Sequence, residues 1–373
     1  MLQITPSLDG GGVERVTLET ARAVVSAGGR SLVASAGGRL ESLLVAEGSE
    51  LVRLPADRRD PLSLALNAGR LARVMRERSV SVAHVRSRAP AFSALAAARR
   101  TGTPILATYH GVYSANGRLK RWYNSVMTRG DLTIANSNFT RDHILAEHRV
   151  DPGRVLVIPE GIDTETFDPA RVDPAAADLF RDRWGGASGG PILLLAARLT
   201  GWKGHGVMID ALARLDDHPR ARLILAGAER NPGDAARLLA RAAELGLSDR
   251  VLWVGALTDM AHAYAAADVV VAPSILAESF GRSVVEAMAM ARPVIASPLG
   301  GPAETVVDGE TGWLAAAGDP AAWAAKLRHV VCLDAARRAA IGEAARTRVV
   351  THYALTTMMT ETFAVYRRLA AAR

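Results

Sequence analysis

The feature that most constrains the fold of this chain is a regular alternation of short apolar runs with helical stretches, which occurs twice. Helical stretches such as Glu14–Ala27 and Leu62–Glu77 carry apolar residues three and four positions apart. Strands that alternate with helices predict right-handed βαβ units and a parallel sheet covered on both faces. The strands predicted in the first series are Leu2–Thr5, Ser31–Ala36, Glu50–Leu54, Val82–Val85, Ile105–Thr108, Leu132–Ala135 and Val155–Ile158.

A second series follows an interruption rich in proline and glycine. Residues 168–190 hold Pro169, Pro174 and four glycines, which is the composition of a linker. A chain of 373 residues is also long for a single core. We therefore predict two facing Rossmann-like doubly wound domains of α/β class, 1–167 and 191–352, with a cleft between them, a linker over 168–190 and a final helix over 353–373. The strands predicted in the second series are Ile192–Ala197, Leu223–Ala226, Val251–Val254, Val269–Pro273 and Val294–Ser297.

The positive charge of the chain is concentrated in its first half. Residues 1–160 hold 22 Lys and Arg against 14 Asp and Glu, although the net charge of the whole chain is only +7. Basic residues near an anionic membrane contribute about 1 kcal/mol each to binding. The chain lacks an RNA-stacking motif, a zinc-finger spacing and an obvious helix-turn-helix, so we expect no nucleic acid partner. A solvated Arg-rich surface is the alternative to an anionic membrane surface.

Other features predict a cytoplasmic location. The membrane surface that the basic residues would bind is then the inner face of the cytoplasmic membrane. Cys332 is the single cysteine, so an internal disulfide cannot form and a reducing compartment fits. The N-terminus opens on a predicted strand without the basic and apolar regions of a signal peptide. No charge-free apolar stretch is long enough to span a bilayer.

The strongest local motif is the segment 278–286, ESFGRSVVE, which follows a predicted strand. A helix that begins near Gly281 would aim the amides of Phe280, Gly281 and Arg282 at an anionic oxygen. The carboxylates of Glu278 and Glu286 suit the hydroxyl groups of a sugar and a ribose. Ser283 and Glu286 also have the spacing of a capping box, so helix capping is an alternative role for Glu286.

A second candidate binding loop runs from Arg198 to Lys203, directly after another predicted strand. An arginine fork and a lysine point charge, five residues apart on a glycine-containing loop, can clamp a diphosphate. Such a loop is often only a solvated surface, but this one lies at the carboxyl end of a strand, where ligands bind in open α/β sheets.

The first half offers three weaker candidates. Gly10, Gly11 and Gly12 follow the first strand and could admit a phosphate close to the backbone. They do not complete a dinucleotide fingerprint, because Arg15 occupies the last glycine position and the acidic residue near position 30 is missing. His110 ends a predicted strand and would project into the cleft, although a lone histidine is usually a loop or core residue. The segment 159–163, PEGID, reads as a tight turn that leaves the first domain.

The sequence holds no candidate metal site. It has no Asp-x-Asp pair and no His/Cys cluster with ligand spacing, and it lacks the Gly-x-Ser-x-Gly elbow of hydrolases. We therefore expect neither a metal nor another cofactor.

Together, these motifs resemble the family-four retaining glycosyltransferases, whose fold is two facing Rossmann-like domains of the GT-B type. The order and spacing of the motifs along nearly the whole chain carry the resemblance. Ala291 departs from the pattern, since glycine is usual before Arg292-Pro293. The matching segments are 10–12, His110, 159–163, Arg198/Lys203, 264–268 (YAAAD), Glu278/Glu286 and 308–312 (DGETG).

The resemblance implies a role for each residue. Arg198 and Lys203 would hold the donor diphosphate, and Glu286 the ribose. Glu278 and the amides of Phe280, Gly281 and Arg282 would hold the transferred sugar. His110 would contact that sugar, the amides near Gly11 and Gly12 would reach the phosphate, and the loop from Val254 to Leu257 would face the nucleobase. The first domain would bind the acceptor, and the final helix would pack back on it.

The implied activity is metal-independent hexosyl transfer, with retention, from a UDP- or GDP-sugar to a membrane-associated acceptor. Such an acceptor is a lipopolysaccharide core, a glycolipid or another envelope glycan. Two alternatives stay open at this point: a sugar-nucleotide epimerase of the same architecture and a degenerate, non-catalytic scaffold subunit.

Overall fold

A computed structural model describes residues 1–9, 11–113, 117–186 and 189–372, and it divides the chain into two compact units. Unit 1 is Met1–Gly161 together with the C-terminal segment from Leu355, and unit 2 is Ile162–Ala354. Gly10, one of the predicted phosphate-binding glycines, lies outside the described residues.

Unit 1 contains a seven-stranded parallel sheet of order β3-β2-β1-β4-β5-β6-β7. Its strands are β1 (Leu2–Ile4), β2 (Leu32–Ser35), β3 (Glu50–Arg53), β4 (Ala83–Val85), β5 (Ile105–Tyr109), β6 (Leu132–Ala135) and β7 (Val155–Val157). Its first helices are α1 (Gly12–Ser26), α2 (Glu41–Ala46), α3 (Pro61–Glu77), α4 (Arg88–Thr101), α5 (Arg118–Asn124) and α6 (Asn138–Glu147). The central strands are buried on both faces, as parallel strands between two helical layers must be, and their residues are apolar apart from Gln3 in β1, His84 in β4 and a few threonines.

Unit 2 contains a six-stranded parallel sheet of order β10-β9-β8-β11-β12-β13. Its helices are α7 (Pro174–Arg183), α8 (His205–Leu212), α9 (Asp234–Glu244), α10 (Met260–Ala266), α11 (Arg282–Ala289), α12 (Pro302–Thr305), α13 (Pro320–Val331) and α14 (Ala335–His352). Its strands are β8 (Ile192–Ala196), β9 (Arg222–Ala226), β10 (Val251–Gly255), β11 (Val269–Ala272), β12 (Val294–Ala296) and β13 (Trp313–Leu314). The second sheet has the strand order 3-2-1-4-5-6 of the Rossmann fold, and the first has the same order with a seventh strand added at its edge, which confirms the predicted fold of each half.

The boundary between the units lies six residues earlier than the sequence predicts. Ile162 and Phe167 are buried in the main apolar core of unit 2, so the segment after Gly161 belongs to that unit. The predicted linker contains α7, and Trp184 after it is buried in the same core. Apolar side chains therefore hold the described part of 168–190 in unit 2, despite its proline and glycine content.

The last helix, α15 (Leu355–Ala371), belongs to unit 1. Met358, Val365 and Leu369 pack into one apolar cluster with Leu106 and Ile134 of the first sheet. Among the described residues, no helix has both the length and the apolar composition that a membrane span requires.

Ala291 adopts φ +53°, the left-handed region that favours glycine. Glycine, the residue that the resemblance leads us to expect at this position, would adopt this conformation without strain.

Candidate active site

Two of the predicted binding loops of unit 2 lie side by side because their strands are neighbours. β8 pairs in parallel with β11, so the loops that follow them meet at the same edge of the sheet. The amide of Ile275 donates to the carbonyl of Trp202 at 2.8 Å. Gly204 has φ +74°, and a Cβ there would lie 1.9 Å from the carbonyl oxygen of Pro273. Only glycine allows the two loops to approach so closely.

This approach brings Lys203 and Glu278 into an ion pair. Lys203 Nζ lies 2.8 Å from Glu278 Oε2, and the two side chains are 17% and 10% exposed. Ser274 donates its hydroxyl hydrogen to the other carboxylate oxygen, Oε1. The ammonium of Lys203 also lies 4.5 Å from the centre of the Trp202 ring. A cation and a carboxylate are thus held together, mostly shielded from solvent, at the carboxyl ends of two adjacent strands.

Glu286 lies one turn into α11 and is buried. Its carboxylate accepts hydrogen bonds from Arg282 Nε and from the hydroxyl of Tyr264, each at 2.9 Å. The N-cap of α11 is Gly281, with φ +89°, and no side chain caps the helix. The capping role considered for Glu286 is therefore wrong. The sequence had placed Tyr264 only in the YAAAD segment and gave it no role at this carboxylate.

The start of α11 is fixed by backbone packing. Gly301 donates its amide hydrogen to the carbonyl of Glu278 at 2.8 Å. A Cβ at Gly300 would lie 2.1 Å from that carbonyl oxygen, and one at Gly301 would lie 2.4 Å from Phe280 Cα. Phe280 is itself buried in the main core of unit 2. The amides of the first turn therefore have a fixed direction, and they carry the positive end of the helix dipole.

The other predicted donor contacts of unit 2 lie on neighbouring loops. Arg198 is exposed. The amide nitrogen of the next residue, Leu199, donates to the carbonyl oxygen of Ala228 at 2.9 Å. Val254 lies in β10 and Leu257 follows it by two residues; both are half-buried and pack against the main core. β9 lies between β8 and β10, so these residues are further from Lys203 along the sheet edge than Glu278 is.

Unit 1 places His110 directly after β5. His110 Nδ1 lies 3.1 Å from Glu160 Oε1, and the imidazole side chain is 4% exposed. Asn136 Nδ2 donates to the same carboxylate oxygen at 2.9 Å. The sequence predicts only a tight turn around Glu160 and indicates no role for Asn136. Both residues closely follow neighbouring strands, β6 and β7, and this position is the signal that could have found them.

The glycines at the start of α1, Gly11 and Gly12, adopt conformations that other residues could also adopt. Gly11 is the N-cap with φ 173°, an extended conformation open to any residue. A Cβ on Gly12 would meet nothing within 4 Å. The local backbone therefore does not require glycine at position 12, and an approach of phosphate to Gly11 and Gly12 stays a prediction.

His205 lies beside the Lys203 loop, at the start of α8, and is buried. Burial lowers its pKa to about 4, although the carbonyl groups of Ala197 and Thr200 oppose the change. An unfolded chain takes up this proton near pH 6.5, so stability falls as the pH drops from there towards 4.

We expect acidification from pH 7.5 to 5 to cost about 2 kcal/mol of unfolding free energy through His205. His205→Gln should reduce the pH-dependent loss by that amount. Urea denaturation of both proteins at the two pH values measures the difference. Equal losses in the two proteins would mean that the His205 ring protonates freely in the folded state.

The described residues contain no group of three or more His, Cys, Asp or Glu side chains that could hold a metal ion.

Comparison with known proteins connects this geometry to one family. Residues 10–166 match the model described as Glycosyltransferase Family 4, and residues 177–348 match Glycosyl transferases group 1. A D-inositol 3-phosphate glycosyltransferase of Xylanimonas cellulosilytica is 34% identical over 224 residues, which cover 59% of this chain and 53% of that protein. The chain thus spans about half the length of the curated relatives that it matches first.

Solved structures match over nearly the whole chain. A glycosyltransferase of Rickettsia africae superimposes with a TM-score of 0.91 at 32% identity, covering 99% of this chain and 97% of its own. The Anabaena HepE protein, solved with UDP and glucose, has a TM-score of 0.87 at 23% identity and covers 98% and 99%, which supports the fold alone. The chain therefore belongs to the glycosyltransferases, with its family 4 and group 1 segments on two Rossmann-like units of the GT-B type.

Proposed function

We propose that this protein transfers a hexose from a UDP- or GDP-sugar to an acceptor hydroxyl, with retention of configuration and without a metal. The observation that carries the proposal is the pair of cation–carboxylate contacts in unit 2, Lys203–Glu278 and Arg282–Glu286, on either side of the start of α11. Two carboxylates suit sugar and ribose hydroxyls, while the cations and helix amides suit a diphosphate.

The proposed division of roles follows the charges. Arg198 and Lys203 bind the diphosphate, and Glu286 binds the ribose. Glu278 and the amides of Phe280, Gly281 and Arg282 bind the transferred sugar. Val254 and Leu257 face the nucleobase, and from unit 1 His110 contacts the sugar, while the amides of Gly11 and Gly12 approach the phosphate.

The proposed chemistry passes through an oxocarbenium-like sugar. As the glycosidic C–O bond breaks, negative charge grows on the leaving diphosphate, which is where Arg198, Lys203 and the helix amides act. The acceptor hydroxyl attacks from the same face, and a diphosphate oxygen takes its proton, so the protein supplies no nucleophile. One well-placed donor at such a developing charge is typically worth about 2.7–4 kcal/mol.

A donor screen followed by a transfer assay tests the proposal. A ligand at 100 times its Kd adds about 2.7 kcal/mol of stability, so thermal shifts with UDP-, GDP- and ADP-sugars identify the nucleotide. Transfer of the sugar to an added acceptor would support the proposal. A new sugar nucleotide formed without acceptor would favour an epimerase, and absence of donor binding would favour a non-catalytic scaffold.

Transfer should persist in excess chelator. The cationic groups of Arg198 and Lys203 replace the charge that a divalent ion would supply to the diphosphate. Initial rates with EDTA, with Mg²⁺ and with Mn²⁺ measure this. An activity that disappears with EDTA and returns with Mn²⁺ would refute the Arg198/Lys203 clamp.

We further propose that the acceptor is membrane-associated, such as a lipopolysaccharide core, a glycolipid or another envelope glycan, and that the protein works at the inner face of the cytoplasmic membrane. The support is α5, which carries Arg118, Lys120 and Arg121 beside two exposed apolar side chains. Leu119 is 79% exposed and Trp122 is 54% exposed. Basic residues with exposed leucine and tryptophan are typical of surfaces that bind anionic lipid.

Neutralising Arg118, Lys120 and Arg121 together should weaken binding to acidic liposomes by about 1 kcal/mol for each charge, without changing donor affinity. Binding should also fade as salt rises. Co-sedimentation with acidic and neutral vesicles measures both effects, and neutralising Arg70, Arg73 and Arg76 on α3 is the matched control. Equal losses in the two triple variants would assign the effect to overall charge, and equal binding to both vesicle types would exclude anionic attraction.

A soluble phosphorylated polyol is a second candidate acceptor, because the curated relatives are named D-inositol 3-phosphate glycosyltransferases. The transfer assay should therefore include inositol 3-phosphate beside lipid-linked acceptors. Efficient transfer to inositol 3-phosphate alone would replace the membrane-associated acceptor.

A further inference from the structure

Three side chains meet in unit 1 at the carboxyl ends of adjacent strands β5, β6 and β7. His110 Nδ1 and Asn136 Nδ2 both approach Glu160 Oε1, at 3.1 and 2.9 Å. Glu160 and Asn136 are buried, as is the imidazole of His110. A carboxylate held by two partners in a buried place has a fixed position, and it fixes the ring that it contacts.

The contact with Glu160 determines which ring nitrogen of His110 carries the hydrogen. An ionised carboxylate only accepts hydrogen bonds, so Nδ1 must carry the hydrogen that His110 donates to Glu160. In a neutral ring, Nε2 then carries a lone pair.

A buried cation lies near this carboxylate. The guanidinium of Arg86 is buried and donates to two neutral groups, Gln3 Oε1 and Thr20 Oγ1, each at 2.7 Å. Burial lowers the pKa of Arg86, and the nearby Tyr366, Glu160 and Glu19 oppose that change. Arg86, Glu160 and His110 line one cavity of about 20 Å³, large enough for one water molecule. The positive charge of Arg86 therefore lies close enough to the carboxylate of Glu160 for the two to attract each other.

We propose that Glu160 is a positioning residue for His110. It holds the proton on Nδ1 and fixes the ring, so that Nε2 presents its lone pair to a hydroxyl of the transferred sugar. Asn136 keeps Glu160 in place. The proposal rests on the sugar contact that we propose for His110, and it adds the residue that sets the tautomer and orientation of that ring.

Two variants of similar size separate the hydrogen bond from simple packing. Glu160→Leu removes the acceptor, whereas Glu160→Gln keeps an oxygen that can accept from both His110 and Asn136. We expect Glu160→Leu to lower kcat roughly 10- to 100-fold, by analogy with the loss seen when the partner that orients a metal-binding histidine is removed. Glu160→Gln should retain most of kcat, and neither variant should change the affinity for the bare nucleoside diphosphate.

Nitrogen NMR of histidine-labelled protein measures which ring nitrogen of His110 is protonated. If Glu160 were only structural, its replacement would leave this pattern unchanged. The signals of His110, assigned by their loss in His110→Gln, should show a protonated Nδ1 and an unprotonated Nε2 in the wild type and in Glu160→Gln. In Glu160→Leu, the ring should show a mixture of tautomers. Asp60→Ala, which removes the N-cap of α3 far along the sequence from this cluster, controls for lost stability and should keep both kcat and the NMR pattern.

The outcomes separate this proposal from the proposed function. The double variant Glu160→Leu/His110→Gln should lose no more kcat than His110→Gln alone, because Glu160 acts through His110. Additive losses, or a proton on Nε2 in the wild type, would overturn the positioning role even if transfer is confirmed. Full activity of His110→Gln would overturn the roles of both residues. Failure of the wild type to transfer sugar would overturn the proposed function, while the NMR pattern would still decide whether Glu160 sets the tautomer.

Discussion

Replacing Lys203 with Ala is expected to lower kcat/KM for sugar transfer by about 100- to 1,000-fold, the loss typical of removing one donor to a developing negative charge. The variant removes the ammonium proposed to bind the leaving diphosphate. It also leaves the carboxylate of Glu278, which lies 2.8 Å from that ammonium, without its cation in a mostly buried place. Affinity for the bare nucleoside diphosphate should fall as well.

Initial rates and calorimetry with the nucleoside diphosphate measure the two effects. Lys203→Arg should restore only part of the activity, because a planar guanidinium does not occupy the place of a compact ammonium. Lys326→Ala is the matched control, since its ammonium lies on the same unit, 3.7 Å from Asp308, and should leave the rates unchanged. Wild-type rates in Lys203→Ala would show that the diphosphate binds elsewhere.

The second large effect separates the two glutamates. Glu286→Ala should weaken the sugar nucleotide and the bare nucleoside diphosphate by similar factors, because both contain the ribose. The loss of a charge-assisted hydrogen bond corresponds to roughly 1.5–3 kcal/mol for each ligand. Glu278→Gln should leave the affinity for the bare diphosphate nearly unchanged and lower turnover, because its partner is the sugar that separates in the transition state.

Stability alone cannot decide the role of Glu286, because its carboxylate also binds Arg282 and the hydroxyl of Tyr264. Tyr264→Phe provides the control. It removes one of these hydrogen bonds, which should lower the free energy of unfolding by about 1 kcal/mol, and it keeps the carboxylate of Glu286. If both Glu286→Ala and Tyr264→Phe destabilise the protein while nucleotide affinity is unchanged, Glu286 is structural. If Glu278→Gln loses the bare diphosphate as well, the assignment of the two roles is wrong.

Most strands could be predicted because their signal is local. The predicted runs Ile192–Ala197 and Val269–Pro273 are apolar, short and followed by the polar residues Arg198 and Ser274, and the structure confirms strands there over Ile192–Ala196 and Val269–Ala272. Strand β13 has only two residues, Trp313 and Leu314, too few for any periodicity. The boundary at Gly161 was missed because the burial of Ile162 and Phe167 depends on a core formed by residues far along the chain.

The candidate site could be predicted only in part, for the same reason. Arg198, Lys203 and Glu278 were found because each follows a strand, where ligands bind in this class of fold. The partners of the carboxylates were not found. Tyr264 is 22 residues from Glu286, and Glu160 is 50 residues from His110, so no local pattern joins them.

The sequence by itself determined the α/β class, the two Rossmann-like halves and the strand ends that carry the candidate residues, since alternation and helical periodicity are properties of neighbouring residues. Only the tertiary structure decided which side chains meet. β8 pairs with β11 rather than with β12, which brings Lys203 to Glu278. β5, β6 and β7 lie in order, which brings His110, Asn136 and Glu160 together. The order of strands depends on packing between distant segments, and that order selects the pairs of charges at the sheet edge.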